Sequence, residues 1–257
     1  MKKKFFAYWI MLLMLSTFII QTMTTKQGKL LKIASQEEGE SGFYTSNQIG
    51  KKKVYLTFDD GPSDHTGEIL DILKKNKVKA TFFVVGKETE HAKKMYRRII
   101  LEGHTLAMHS YSHNYDQIYA SVDAFSKDLM KLQKYLYDLT DVKPYIYRFP
   151  GGSSNHCAGD IKPYIKYINK KGILYFDWNA LNEDAIHFEQ SPEQLNEKIL
   201  KDVRRQNTSI VLMHDLHETK NTVKGLDILI KTLKKEGYQM FPITKNTKPI
   251  HHVSIDK

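Results

Sequence analysis

Val54-Tyr55-Leu56-Thr57-Phe58-Asp59-Asp60-Gly61-Pro62 is the stretch from which the fold is read. Its first five residues are the β-branched, aromatic and aliphatic types of a buried strand, and two adjacent carboxylates stand at its end. Carboxylates side by side repel, so a metal, an Arg or a proton must offset them. Gly61-Pro62 forces a turn that presents both acids at a sheet edge. On its own, the segment reads equally well as an Asp-Gly turn with solvated acids.

Downstream, short β-rich runs alternate with helical patterns. Residues 66–76 carry Ile69, Leu70, Ile72 and Leu73 on one helical face. Further strands are expected at 80–85, 105–108, 145–148, 173–176, 209–213 and 238–242. Helices are expected over 88–101, 121–139, 159–171, 193–205 and 222–235, with Pro144 breaking the long one and Pro192 opening a later one. Seven strands alternating with helices predict a parallel sheet, either a barrel or an open doubly wound sheet. The polar residues favour a barrel. Asp59, Asp60, His109, Arg148, Asp177 and His214 all follow strands, and a β/α barrel gathers the C-terminal ends of its strands at one mouth.

Each of these positions has a chemical reading. His109 and His113 are four residues apart, so on a helical turn both imidazoles reach one ion. With Asp60 they would make a two-His, one-carboxylate site that leaves room for water and substrate. Eleven histidines also produce such spacings by chance. Arg148 can hold a carboxylate bidentately, and Gly151-Gly152 beyond it allow close backbone approach to a substrate oxygen. Trp178, beside Asp177, offers a flat face for a sugar ring or a place in the core. His214 after a buried strand can act as a general acid near neutrality or serve a structural role.

Length and composition set the frame. The chain has 257 residues, 41% of them hydrophobic, enough for one sizeable core. Its net charge of +10 favours acidic partners, but the lysines are scattered and no nucleic-acid motif is present. The single cysteine, Cys157, excludes an internal disulfide and is read as a buried spectator. Lys2, Lys3 and Lys4 precede an apolar run from Phe5 to Ile20 with no Ala-x-Ala after it. That pattern predicts an uncleaved signal anchor over 1–23, a cleaved signal peptide being the alternative, with the remaining chain outside the membrane. Residues 24–50 are polar and glycine-containing and read as a stalk, followed by a catalytic domain over 51–247 and a C-terminal tail over 248–257.

The motifs in order resemble the polysaccharide deacetylase family, carbohydrate esterase family four. They are Thr57-Phe58-Asp59-Asp60-Gly61, His109-Ser110 with His113, Arg148-x-Pro150, Asp177-Trp178 and Leu212-x-His214, spanning residues 52–245. The resemblance implies a distorted, incomplete (β/α) barrel of about seven parallel strands. It implies that Asp60, His109 and His113 bind one divalent metal, zinc or else cobalt or nickel. Asp59 would be the general base, Arg148 its orienting partner, His214 the general acid and Asp177 the residue that tunes it. Pro150, Gly151, Trp178 and Leu212 would line the substrate groove, with the Gly151 N–H as an oxyanion donor. Many members have Tyr where this chain has Gly151, and an extra Asp where it has Leu174. The activity implied is removal of N-acetyl groups from N-acetylglucosamine in a cell-wall polysaccharide, foremost peptidoglycan. Rival readings are deacetylation of another glycan (N-acetylmuramic acid, a chitooligosaccharide, an exopolysaccharide or acetylxylan) and a catalytically silent glycan-binding module.

Overall fold

The computed structural model describes residues 52–255. The expected anchor and stalk lie outside the described residues. Strand β1 (Lys53–Asp59) is buried at every position after Lys53, as expected of a central strand covered on both faces. It pairs in parallel with β7 (Thr208–His214) along its whole length, from Lys53 opposite Thr208 to Asp59 opposite His214. Its other edge is divided. β8 (Gln239–Met240) takes Lys53 and Val54, and β2 (Thr81–Val85) takes Thr57 to Asp59. The sheet continues through β3 (Thr105–Ser110), β4 (Ile146–Tyr147) and β5 (Leu174–Tyr175) on one side and β6 (Ala180–Leu181) on the other.

All pairings are parallel, and the path β5-β4-β3-β2-β1-β7-β6 does not close between β5 and β6 among the described residues. The fold is therefore a distorted, incomplete (β/α) barrel. Eight strands form where seven were expected, because β6 has only two residues and leaves no periodic signal in the sequence. β4 and β5 are likewise two residues each, shorter than the four-residue runs that suggested them.

Helices α1 (Thr66–Lys75), α2 (Glu90–Leu101), α4 (Val122–Thr140), α5 (Lys162–Lys170), α6 (Pro192–Val203) and α7 (Lys220–Lys235) follow the expected segments, with a one-turn α3 (Tyr115–Ile118) before α4. Ser121 caps α4 by accepting from the Ala124 N–H, and α4 ends at Asp141, whose φ of 59° is left-handed. The helix thus stops before Pro144. Ser191 and Gln194 form a capping box at the start of α6, with Pro192 in its first turn.

The period of two along the strands decides where the chemistry falls. Val54, Leu56 and Phe58 pack with the helices in the main core, and Tyr55 joins Phe83, Ala107, Ile146, Phe176, Ile210 and Ile243 in a smaller core inside the barrel. Alternate side chains share a face. Thr57 and Asp59 therefore follow Tyr55 inward, Arg148 follows Ile146, and Leu212 and His214 follow Ile210. At β3 the register skips a residue: Val84 pairs with Met108 and Val85 with Ser110, so His109 sits in a bulge. Such bulges re-aim a side chain at the end of a strand.

Candidate active site

Asp59 and Asp60 are adjacent in sequence but face different partners. Asp59 is buried, and its Oδ1 accepts a 2.8 Å hydrogen bond from Nη1 of Arg148. Asp60 has a φ of 71°, a left-handed conformation that is strained for a residue with a Cβ. The turn swings its carboxylate away from Arg148 and toward the histidines. The Arg148 guanidinium on one side and the imidazoles on the other thus offset the repulsion expected of the pair. Burial is the largest influence on the Asp60 carboxyl and opposes ionisation. His113, His109 and His214 outweigh it and hold the group well below the usual carboxylate range.

His109 and His113 do not lie on a helical turn, as their spacing had suggested. His109 is in the β3 bulge, and His113 lies in the loop beyond it with a φ of 51°. Nε2 of His113 is 3.0 Å and Nε2 of His109 3.4 Å from Asp60 Oδ1. Nδ1 of His109 lies 2.8 Å from the Arg148 carbonyl oxygen, to which a protonated Nδ1 donates, leaving Nε2 free for the site. Burial depresses the His109 pKa and favours the neutral ring. Burial also disfavours charge on His113, but Asp60 overrides it and the net shift is upward.

The three ligand atoms lie within 4.8 Å of one another. Among the described residues, Asp60 Oδ1 and His113 Nε2 are both buried without a hydrogen-bond partner, despite their close approach. Buried polar atoms are normally satisfied. One carboxylate oxygen and two imidazole nitrogens that converge, the oxygen and the His113 nitrogen orphaned, fit a divalent cation.

Asp128, which the sequence reading passed over, fixes this loop. Its carboxylate accepts from Ser110 Oγ at 2.8 Å, the Tyr111 N–H at 2.7 Å and the Ser112 N–H at 2.8 Å. A signal was present: Asp128 falls between Phe125 and Leu132, on the apolar face of α4.

Arg148 is completely buried. Nη1 also donates to Thr57 Oγ1 at 2.7 Å, Nε to the Phe176 carbonyl at 3.0 Å and Nη2 to the Asp177 carbonyl at 3.3 Å. The guanidinium lies 4.0 Å from the centre of the Phe83 ring. Its grip on Asp59 is single rather than bidentate, with three other hydrogen bonds going to the barrel wall.

At His214 the expected partner is corrected. Among the described residues Asp177 forms no hydrogen bond or ion pair with this imidazole. Asp184 does: its Oδ1 is 2.7 Å from Nδ1, and its Oδ2 accepts from the His214 N–H at 3.0 Å and from Thr222 Oγ1 at 2.8 Å. Burial, the largest influence, favours the neutral ring. The Asp184 hydrogen bond and charge, with Asp59 and Asp60, overcome it and push the pKa up to about 9. Asp177 is instead spent on structure. Its carboxylate accepts from the Ser153 N–H at 2.8 Å, Ser153 Oγ at 2.5 Å and the His252 N–H at 2.8 Å. It pins the loop after Arg148 to the C-terminal segment. That segment is docked by the Asp177 N–H to the Ile250 carbonyl and by the Val253 N–H to Ser153 Oγ. Asp184 escaped notice because it follows the two-residue β6.

Pro150, Gly151, Trp178 and Leu212 come to the same end of the barrel. Pro150 is buried, and its carbonyl accepts from Tyr119 Oη at 2.8 Å. Gly151 is exposed with a φ of 74°, and its N–H donates no hydrogen bond among the described residues. Gly152 has a φ of 78°, and a Cβ there would meet Trp178 Cη2 at 2.9 Å, so only glycine fits against this Trp. Leu212 faces inward at 6% exposure. Cys157 is exposed, contrary to the buried position expected. A surface cavity of about 430 Å³ bounded by Phe188, His217 and Asn221 is lined by none of these site residues.

An incomplete barrel with an Asp-His-His cluster, an Arg-held carboxylate and an Asp-held imidazole at one mouth defines a hydrolase of the carbohydrate esterase type. Residues 46–167 match the family described as polysaccharide deacetylase. Chitin deacetylase of Colletotrichum lindemuthianum is 33% identical over 192 residues, covering 72% of this chain and 75% of the relative. Peptidoglycan-N-acetylglucosamine deacetylase of Bacillus cereus is 27% identical over 221 residues, 83% of this chain and 79% of the relative. The catalytic domain of a peptidoglycan N-acetylglucosamine deacetylase from Eubacterium rectale superposes with a TM-score of 0.75 at 35% identity, covering 84% of this chain and all of that one. The chain belongs to the polysaccharide deacetylase family, and it is a glycan deacetylase.

Proposed function

We propose that this protein is a divalent-metal-dependent N-deacetylase of N-acetylglucosamine residues in a cell-wall polysaccharide, peptidoglycan foremost, acting outside the cytoplasmic membrane. The observation that carries the reading is the pairing of proton-handling groups around the ligand cluster. A carboxylate held by a buried guanidinium stands on one side, and an imidazole held protonated by Asp184 on the other. Hydrolysis of an amide needs both, a base for the attacking water and an acid for the departing amine.

A divalent cation held by Asp60, His109 and His113 would supply Lewis-acid chemistry, polarising the acetamide carbonyl and making water a better nucleophile. The donor set suits zinc, with cobalt and nickel as alternatives. Asp59 takes the proton of the attacking water. Arg148 keeps that carboxylate aimed. The Gly151 N–H faces the developing oxyanion. His214 protonates the nitrogen as the C–N bond breaks, so acetate departs and a free amine stays on the sugar. Trp178, Pro150 and Leu212 bound the groove.

Peptidoglycan is favoured because relatives bearing that name match across most of this chain. The apolar run from Phe5 to Ile20 behind three lysines supports export and an anchored N-terminus. The test is acetate release from peptidoglycan and from chitooligosaccharides, with zinc, cobalt or nickel supplied. Metal-loaded protein that releases no acetate from any of them overturns the reading.

A further inference from the structure

Two tyrosines of one short helix reach the loop that follows Arg148, and they are used differently. Tyr115 opens α3 and Tyr119, four residues on, caps its far end; the start is capped by Asn114 accepting from the Gln117 N–H at 3.1 Å. Tyr119 is buried and its hydroxyl is fully employed. It donates to the Pro150 carbonyl at 2.8 Å and accepts from Asn155 Nδ2 at 3.2 Å. It holds the loop from beneath. Tyr115 is only half-buried. Its ring is met edge-on by His113 at 5.5 Å and packs against Tyr119 at 6.0 Å, but its hydroxyl makes no hydrogen bond among the described residues.

The position of that hydroxyl is informative. A Cβ on Gly151 would stand 3.2 Å from Tyr115 Cε1 and 3.3 Å from Tyr115 Oη. The phenol therefore occupies the space a side chain at 151 would take, beside the free Gly151 N–H and against the His113 imidazole. A ring clamped on two sides loses little entropy on binding, and its unspent O–H is a ready donor. Aromatic faces and phenol hydroxyls are a common means of gripping sugars, the face meeting C–H groups and the hydroxyl meeting ring substituents.

We propose that Tyr115 is a substrate-binding residue, its hydroxyl donating a hydrogen bond to an oxygen of the sugar that carries the acetamide. This rests on the glycan-deacetylase reading of the same site. The phenol would fix the pyranose while the Gly151 N–H meets the acetamide, two donors spaced to read one sugar. Tyr115 takes no part in the proton transfers.

The test uses Tyr115→Phe, which keeps the ring packing and deletes only the hydroxyl. Binding of N-acetylchitopentaose is measured by calorimetry, and acetate release is followed over a range of pentaose concentrations. The loss of one neutral hydrogen bond predicts a rise of about fivefold in Kd and KM, with kcat changed far less. Metal content is measured alongside and is expected to stay at the wild-type level. Equal Kd and KM in Tyr115→Phe and wild type would reduce Tyr115 to a packing residue and overturn the proposal. If the wild type leaves the pentaose untouched, the same KM comparison is made on a soluble peptidoglycan fragment; metal-loaded wild type that releases acetate from neither would instead defeat the glycan reading on which the proposal stands.

Discussion

Asp184 Oδ1 lies 2.7 Å from Nδ1 of His214, so the imidazole that faces the mouth of the barrel is held by an acid thirty residues upstream. Two further hydrogen bonds fix that acid, from the His214 N–H and Thr222 Oγ1, and both leave its charge directed at the ring. The arrangement raises the His214 pKa to about 9. The general acid proposed for the reaction must be protonated when the leaving group departs, and this pairing would keep His214 so through neutrality.

The first prediction concerns pH. Asp184→Asn removes the charge and keeps the shape. His214 should then lose its proton nearer the ordinary histidine value, and the basic limb of the rate profile should move down from about pH 9 toward neutrality. Activity at pH 8 should fall on the order of tenfold or more. The sign carries over to stability. A pKa raised in the folded state stabilises fully below the unfolded value and is lost as pH climbs through the folded one. The wild-type Tm should therefore sag as pH rises toward about 9, and the variant should sag less. An unshifted rate profile would remove Asp184 from the mechanism.

Asp177 should behave differently, and the contrast separates the two acids. Its carboxylate satisfies three donors, two from Ser153 and one from His252. Asp177→Ala leaves them buried or half-buried without that acceptor, at a cost of about 1–3 kcal/mol. A domain of this size should lose roughly 2–4 °C in Tm for each kcal/mol. The basic limb of the pH profile should stay in place. A shift like that of Asp184→Asn would show that Asp177 acts on His214 after all.

The fold and half of the site were legible for one reason: a buried parallel strand is a continuous apolar run, and its last inward residue is polar only where chemistry needs it. Val54 to Phe58 and Ser209 to Met213 announce themselves this way, and Asp59 and His214 follow at once. Asp184 was not legible, because β6 is two residues long and carries no period. The misplaced partner, Asp177, lies after a real strand and looks equivalent in one dimension. Asp128 and Tyr115 act from the helices that follow β3, and their contacts depend on packing distances that spacing does not encode.

Adjacent acids with separate partners should fail separately. Asp60→Ala removes one ligand atom of three, and the protein should lose bound metal along with turnover. Asp59→Asn leaves the ligand cluster whole and should retain metal while turnover drops about 10²–10⁴-fold. Elemental analysis of purified variants, paired with acetate assays, reads both. A chelator should abolish wild-type activity and added zinc or cobalt should restore it. Two variants with equal metal content and equal activity would contradict the division of labour.

The last prediction reaches furthest from the chemistry. Among the described residues Asp128 hydrogen-bonds to none of the candidate ligands, yet its carboxylate accepts from Ser110 Oγ and the N–H groups of Tyr111 and Ser112, the residues between His109 and His113. The His113 N–H in turn donates to Ser110 Oγ at 2.9 Å, so one carboxylate sets the path of the whole loop. His113 is held in a left-handed conformation that would relax once the loop is released. Asp128→Ala should therefore weaken metal affinity about 10–100-fold, the scale of losses seen when outer partners of ligands are removed. Competition against a chromophoric chelator measures this directly. Excess metal should recover much of the activity, since every reacting group is still present. If affinity were unchanged, the loop would hold its course without Asp128, and the strain at His113 would need another support.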